Sequence, residues 1–390
     1  MPQLIGTAPN QVPTNGDLGS AAYMDTSAFY GTGNSASFRN RIINGDMRIA
    51  QRATSASAYS GGGYQTLDRW NLFQNLGAMN IAQSSTAPAG FSNSIQFTVS
   101  TAASQTSSSS SIVTPNQSIE GFNFYDLGWG TANAKPVTVS VWVYSSLAGQ
   151  YAIWIRNSAA DRFYSTAFTI LAPNTWQQIT ATIPGDVSGT WIGSTNGIGA
   201  TVGICLAAGS GRVGAGNTWS SSSFYGVTGQ VDWQATSSNT FYFTGFQLEK
   251  ATVATPFEYR QIGTESMLCY RYFYSMGGGG STYEQFFLIS STAATDGRVV
   301  MYTPVPMRTV PSIIQSGSFQ IAGGSTSLTG TYSANTTMYA SNPSVFSGMQ
   351  NIGFDFWPGT AGSYGVTNAG CFVLRANGST ATRFQLSAEL

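Results

Sequence analysis

The chain has 390 residues, 42% hydrophobic and 13% aromatic, enough apolar mass for two or three packed cores. Only 8% of residues are charged, and 16 basic side chains balance 16 acidic ones, where ordinary soluble domains carry roughly 25%. That neutrality excludes electrostatic binding of nucleic acid or an anionic membrane surface as a main function. Ser, Thr, Asn, Gln and Gly must therefore supply much of the surface.

Residues 1–38 are rich in Pro, Gly, Asn and Ser and hold few large apolar groups. They cannot bury enough surface to fold alone, so an extended arm is expected, with Leu18, Tyr23 and Met24 as its apolar anchors. The start lacks the charged and apolar regions of an export signal, and no run reaches the roughly 18 apolar residues of a membrane helix. Synthesis without export and no membrane insertion are the expectations.

From residue 39 to 260 the pattern is β. Asn44-Gly45, between RII and MRI, predicts a hairpin turn, because both residues tolerate positive φ. VTVSVWVYSS (Val137–Ser146) and TWQQITATI (Thr175–Ile183) alternate apolar and polar residues at period two. GIGATVGICLA and TFYFTGFQLE add two more strands. Many strands with long Gly- and Ser-rich loops predict a jelly-roll β-sandwich. Trp154, Trp176 and Trp191 are assigned to its core, and Gly61–Gly63 to a flexible loop.

Residues 261–282 predict a short helix capped by Thr264, burying Met267, Leu268 and Phe273, and then a glycine-rich linker. Residues 283–390 return to strands and predict a smaller C-terminal β-sandwich. The fold class is therefore all-β: arm, jelly roll, short helix, second sandwich.

Chemistry is sparse. There is no histidine, which removes Ser-His-Asp and Cys-His systems and every histidine-bearing zinc site. Cys205, Cys269 and Cys371 are far apart and form no CxxC pair, so they read as free buried thiols. No phosphate loop is present. No cofactor, metal or enzymatic activity is expected. Paired carboxylates are the remaining enzymatic route; Glu120 and Asp126, beside Tyr125 and Trp129, are the candidates, and a structural role is preferred for both. Arg39, Arg41, Arg48, Arg52 and Arg69 cluster near Asp46 and Asp68. Arginine forks suit bonds between subunits, or internal pairing with those acids.

The clearest ligand signal is GNTWSSSSFYGVTGQVDWQ (Gly216–Gln234). It places Trp219, Phe224, Tyr225 and Trp233 among Ser, Asn and Asp232 in an irregular stretch. Aromatic faces with adjacent hydrogen-bonding groups are what sugars require. Trp219, Tyr225, Asp232 and Trp233 are the candidate ligand-binding residues.

Two resemblances add to this reading. FRNRIINGDMRIAQR (Phe38–Arg52) with LDRW (Leu67–Trp70), FYFTGFQLEKATVATPFEYRQIG (Phe241–Gly263) and TESMLCYRYF resemble bacteriophage virion proteins of the tail-fibre type. QVPTNGDLGSAAYMD (Gln11–Asp25), and TPVPMRTVPSI (Thr303–Ile313) with the closing RFQLSAEL, resemble segments of phage structural proteins. The strand order over Asn116–Glu258 is similar to carbohydrate-binding jelly rolls. It departs from them at the closing strand, where Thr244 and Gly245 stand in place of a calcium-associated Asp. The resemblance implies a non-enzymatic homotrimeric fibre in the virion. The arm would join it to other virion proteins, and the loops to host cell-surface polysaccharide. A capsid decoration or head-fibre protein, a polysaccharide depolymerase and a secreted cellular carbohydrate-binding protein are the alternatives.

Overall fold

A computed structural model describes residues 38–390 apart from 282, 294–295, 302, 317–318, 324–325, 329–334, 341–351, 358–369 and 377–380. The arm, with Leu18, Tyr23 and Met24, lies outside the described residues.

The larger sheet uses β1 (Ser55–Tyr64), β2 (Asn71–Ser84), β3 (Ser94–Thr101), β4 (Ile112–Glu120), β5 (Val137–Ser145), β6 (Gly149–Arg156), β7 (Phe163–Ile170), β8 (Gln177–Ile183) and β9 (Ile198–Cys205). The short β10 (Ala207–Ala208) and the long β13 (Thr240–Glu249) complete it, while β11 (Val213–Gly214) and β12 (Gly226–Val227) form a separate parallel pair. Their order is β7-β6-β9-β4-β2-β3-β13-β5-β8, with β1 also on β2 and β10 on β4. Because β2 pairs with β4 through Asn71–Gln74 and with β3 through Ala78–Ser84, one strand joins both halves of the sandwich. The far edges approach each other where Gln177 receives Leu171 N–H and donates to the Thr169 carbonyl. The result is an all-β sandwich made from one nearly closed sheet.

Alternation explains its core. Val137, Val139, Val141 and Val143 of β5 point inward at 0% exposure. On β13 the register shifts between Thr244 and Gln247, and Gly245 has φ +62°. This bulge resets the alternation, so Phe241, Phe243, Phe246 and Leu248 all reach the interior.

Several local expectations are corrected. Asn44 does adopt positive φ (56°), but no strands flank it. Its side chain instead accepts from Ile49 N–H and donates to the Ile49 and Asp68 carbonyls. The backbone of this segment is tied elsewhere, with Arg41 N–H on the Leu248 carbonyl and Phe246 N–H on the Gly45 carbonyl. Residues 38–54 form an irregular plug, not a hairpin. Gly61–Gly63 pair with Leu72–Gln74 inside β1, so they are strand and not loop. The helix, α1 (Ile262–Tyr270), is capped at Gln261, and Thr264 lies within its first turn. It buries Glu265 and Cys269, one turn apart. Met267 is exposed, because Glu265 must face inward to accept from Asn44 N–H and Arg260. Phe273 is buried, but in the strand after the helix.

That strand is β14 (Phe273–Gly277). Then come β15 (Gln285–Ala293), β16 (Asp296–Met301), β17 (Ser312–Ser316), β18 (Phe319–Gly323), β19 (Thr326–Leu328), β20 (Asn335–Ala340), β21 (Ile352–Trp357), β22 (Gly370–Ala376) and β23 (Arg383–Ser387). A three-stranded sheet, β14-β23-β17, lies against the sandwich, and a seven-stranded sheet has the order β19-β18-β22-β15-β16-β21-β20.

The seam beneath β23 is ionic. Arg69, 1% exposed, pairs with Glu389, donates to the Ser118 carbonyl at 2.5 Å and lies 3.6 Å over the Tyr272 ring. Arg52 also bonds Glu389, at 3.0 Å. Arg308 donates to the carbonyls of Ala388, Glu389 and Asn196. The clustered arginines are thus engaged within the chain: Arg48 with Asp46, Arg41 with Asp126, Arg52 and Arg69 with Glu389.

Two predictions follow from this seam. Arg69→Met leaves the buried Glu389 with Arg52 alone and the Ser118 carbonyl without its donor, and is expected to lower unfolding free energy by about 2–3 kcal/mol in urea titrations. Glu389→Leu should cost more than Arg69→Met in the same titration, because it leaves both Arg69 and Arg52 without their carboxylate. Asp68 is 0% exposed, and burial pushes its carboxyl up to about 6. Folding favours the protonated form, so this contribution is full below the ordinary carboxyl value of about 4 and is lost as pH rises through 6. Stability of the native chain relative to Asp68→Asn should therefore fall by about 3 kcal/mol between those values.

Candidate functional site

The loop candidates are not gathered into one site. Trp233 is 0% exposed, in the core, with its indole N–H on the Thr240 carbonyl. Asp232 faces the other way and fixes a turn by accepting from Gln105 N–H (2.8 Å) and the Ser104 hydroxyl (2.9 Å). Tyr225 stands edge-on to Trp154 at 4.7 Å and to Phe163 at 5.0 Å. Trp219 is half-buried, edge-on to Trp129 at 5.2 Å and Trp191 at 5.8 Å, with its indole N–H on the Pro184 carbonyl. Residues 213–231 are a cover. They close the outer side of β6 and β9, where Trp154, Cys205, Val227 and Tyr225 form their own small core.

Glu120 and Asp126 are not a free pair either. Glu120 is 1% exposed, held by both arms of Arg271 (2.8 and 2.5 Å) and by the Tyr272 hydroxyl (2.7 Å). Asp126 pairs with Arg41 at 2.7 Å and Lys250 at 3.7 Å.

The open aromatic surface lies elsewhere, on the outer face of β3-β13-β5-β8. Period two sends Gln96 and Thr98, Tyr242, Trp142 and Tyr144, and then Gln178, Thr180 and Thr182 outward. Register places Gln96 opposite Tyr242, Tyr242 opposite Tyr144, and Trp142 opposite Gln178. Trp176, just before β8, completes the row. Tyr144 is 5.1 Å from Tyr242 and 5.5 Å from Trp176. All three rings are half-buried, whereas Gln178, Thr180, Thr182 and neighbouring Asn80 are exposed. Trp176 is thus a surface residue, not core. With strands about 4.8 Å apart the row spans about 10 Å, the length of a disaccharide.

The surface continues beyond the row. A Cβ on Gly245 would lie 2.6 Å from Phe91 and 3.2 Å from Trp142, so the bulge glycine lets both rings approach the sheet. Phe91, Phe257 and Tyr259 then cluster at 4.9–5.5 Å. Burial, aided by Tyr144, lifts the Tyr242 phenol above its ordinary value, so it remains a neutral hydroxyl at physiological pH. No side chain named on this face carries a charge. Sequence reasoning identified these strands but missed the signal: outward positions of VSVWVYSS and TFYF carry Trp and Tyr where water alone would favour small polar residues.

No known protein family matches the sequence, and no curated protein matches it. Solved structures similar to it include the enzymatically active domain of tailspike protein 4 of bacteriophage CBA120 (12% identity, 56% of this chain and 22% of that one, TM-score 0.31). Others are a carbohydrate-binding module of family 4 (13% identity, 53% and 98%, TM-score 0.29) and a family 11 module of Clostridium thermocellum in complex with a mixed-linked tetrasaccharide (12% identity, 53% and 99%, TM-score 0.27). The chain spans less than a quarter of the tailspike chain.

Trp219 and the sheet face separate in a simple test. Trp219→Leu should cost about 2 kcal/mol of stability through lost ring packing, read by thermal melting, whereas Trp176→Leu on the sheet face should shift the midpoint much less.

Proposed function

We propose that this chain is a non-enzymatic binding protein that holds uncharged polysaccharide on the outer face of β3-β13-β5-β8. The observation that carries the reading is the Trp176–Tyr144–Tyr242 row. Three uncharged rings stand side by side on a rigid sheet, flanked by the amides and hydroxyls of Gln96, Gln178 and Thr180. Sugar C–H faces would stack on the rings while those groups and the tyrosine hydroxyls exchange hydrogen bonds with ring hydroxyls. Such a face is shallow, so single contacts are weak and several copies are needed for firm attachment.

The resemblance to tail-fibre proteins supports placing it on a phage particle. There the arm, through Leu18, Tyr23 and Met24, would join other virion proteins, and a homotrimer would present three faces to host surface glycan. Gold-labelled antibody against residues 265–390 is expected to mark the tail on purified virions. Label over the head would make it a decoration or head-fibre protein, and unlabelled particles would remove the virion assignment.

Binding itself is tested by affinity electrophoresis in neutral and acidic polysaccharide gels. Tyr242→Ala and Trp176→Ala should each weaken retention at least tenfold, about 1–3 kcal/mol of stacking lost, with thermal midpoints nearly unchanged. Retention should not depend on salt. Unaltered retention in both variants sinks this placement of the site.

A further inference from the structure

The rings of the Trp176–Tyr144–Tyr242 row share no common plane. Tyr144 is inclined 82° to Tyr242 and 51° to Trp176, and Trp176 is inclined 67° to Tyr242. The rings also leave the spacing of their strands. The backbone carries the row across about 10 Å, yet the outermost rings, Trp176 and Tyr242, have centroids only 6.4 Å apart, because both lean toward Tyr144. Centroid separations of 5.1, 5.5 and 6.4 Å close a triangle. In an edge-to-face pair the edge of one ring covers part of the other's face. Tyr144 and Tyr242 form such a pair, so between them they make a corner, one ring as floor and the other as wall.

A step bounds the corner along the strands. Thr138 Oγ1 donates to the Ala251 carbonyl at 2.9 Å, Thr182 Oγ1 to the Thr252 carbonyl at 3.0 Å and Gln247 Nε2 to the Thr255 carbonyl at 3.3 Å. In this half of the face the outward positions Thr138, Ser140, Thr244 and Gln247 are only 0–2% exposed. The open aromatic surface is therefore small and bent. A flat, ribbon-like chain presents successive sugar faces in parallel planes and gains from coplanar rings set a disaccharide apart. No two rings of the row are coplanar. A single pyranose needs only one ring face and one neighbouring edge.

We propose that the corner takes one pyranose that protrudes from its chain, a terminal or branch sugar, and not the interior of an extended chain. The inference rests on the polysaccharide reading above and narrows it. The sugar's C–H face stacks on one tyrosine ring and its rim meets the other, with Trp176 closing the third side. The Gln96 amide oxygen accepts from a sugar hydroxyl, its Nε2 already donating to Thr98 Oγ1 at 3.2 Å. Tyr144 is the specificity-determining residue, because it is the ring that both others lean on. One sugar per site makes each contact weak, and a polymer carrying many branch tips engages several copies at once.

Affinity electrophoresis of the full chain in paired gels tests this. One pair is galactomannan and the same polymer freed of galactose by α-galactosidase. The other is xyloglucan and hydroxyethyl cellulose, which has its backbone without sugar branches. At least one branched polymer should retain the protein about tenfold more tightly than its unbranched partner. Mannohexaose should compete no better than mannobiose, since one sugar fills the site. Tyr144→Ala should abolish the preference for branches. Equal retention by branched and unbranched partners overturns the inference and leaves the polysaccharide reading standing. So does mannohexaose competing tenfold better than mannobiose, or a branch preference undiminished in Tyr144→Ala. Retention by none of the four polymers removes the polysaccharide reading and this inference with it.

Discussion

Arg69 is a cation cut off from water, and the joint between the sandwich and the β14-β23-β17 sheet depends on how it is satisfied. Its partners come from far along the sequence: Glu389 near the C-terminal strand, the Ser118 carbonyl at the end of β4, and the face of Tyr272. Arginine suits this place because a planar fork bonds at its edge while stacking on its face. Tyr272 in turn gives its hydroxyl to Glu120, which is also gripped by Arg271. The sandwich and the β14-β23-β17 sheet are therefore joined by charges that each require the other side. Losing one partner leaves an ion in a medium that solvates it poorly.

This accounts for the composition. A chain with 8% charged residues spends many of them internally: Arg162 on Asp186, Arg260 on Glu258 and Glu265, Arg48 on Asp46. The surface is left to amides, hydroxyls and aromatic rings. Such a surface gives little long-range attraction, so recognition relies on contact: stacking and directional hydrogen bonds over a rigid sheet.

The two outer faces of the sandwich are unequal for a steric reason. On β9, Gly203 allows the Trp154 ring to lie against the strand, where a Cβ would come within 2.9 Å, and residues 213–231 close over it. On β13, Gly245 lets Phe91 and Trp142 approach, but the rings beyond them are left half-exposed. The same device, a glycine beneath an aromatic ring, seals one face and furnishes the other.

The sequence by itself determined the all-β class, most strand positions and the exclusion of histidine chemistry, because period-two alternation, turn residues and missing residue types are local properties. It also marked the Glu120 and Asp126 stretch as structural. The direction in which aromatics point required the tertiary structure. Trp233 and Trp176 are spelled alike in a polar context, yet one is core and the other surface, since only the packing of β13 and the register with β5 assign their sides. The Asn44-Gly45 hairpin failed for the same reason. Its turn chemistry was legible, but its backbone partners are Leu248, Phe246 and Glu265, about 200 residues away. Burial and ion pairing depend on what packs against a segment, and that is decided by the fold as a whole.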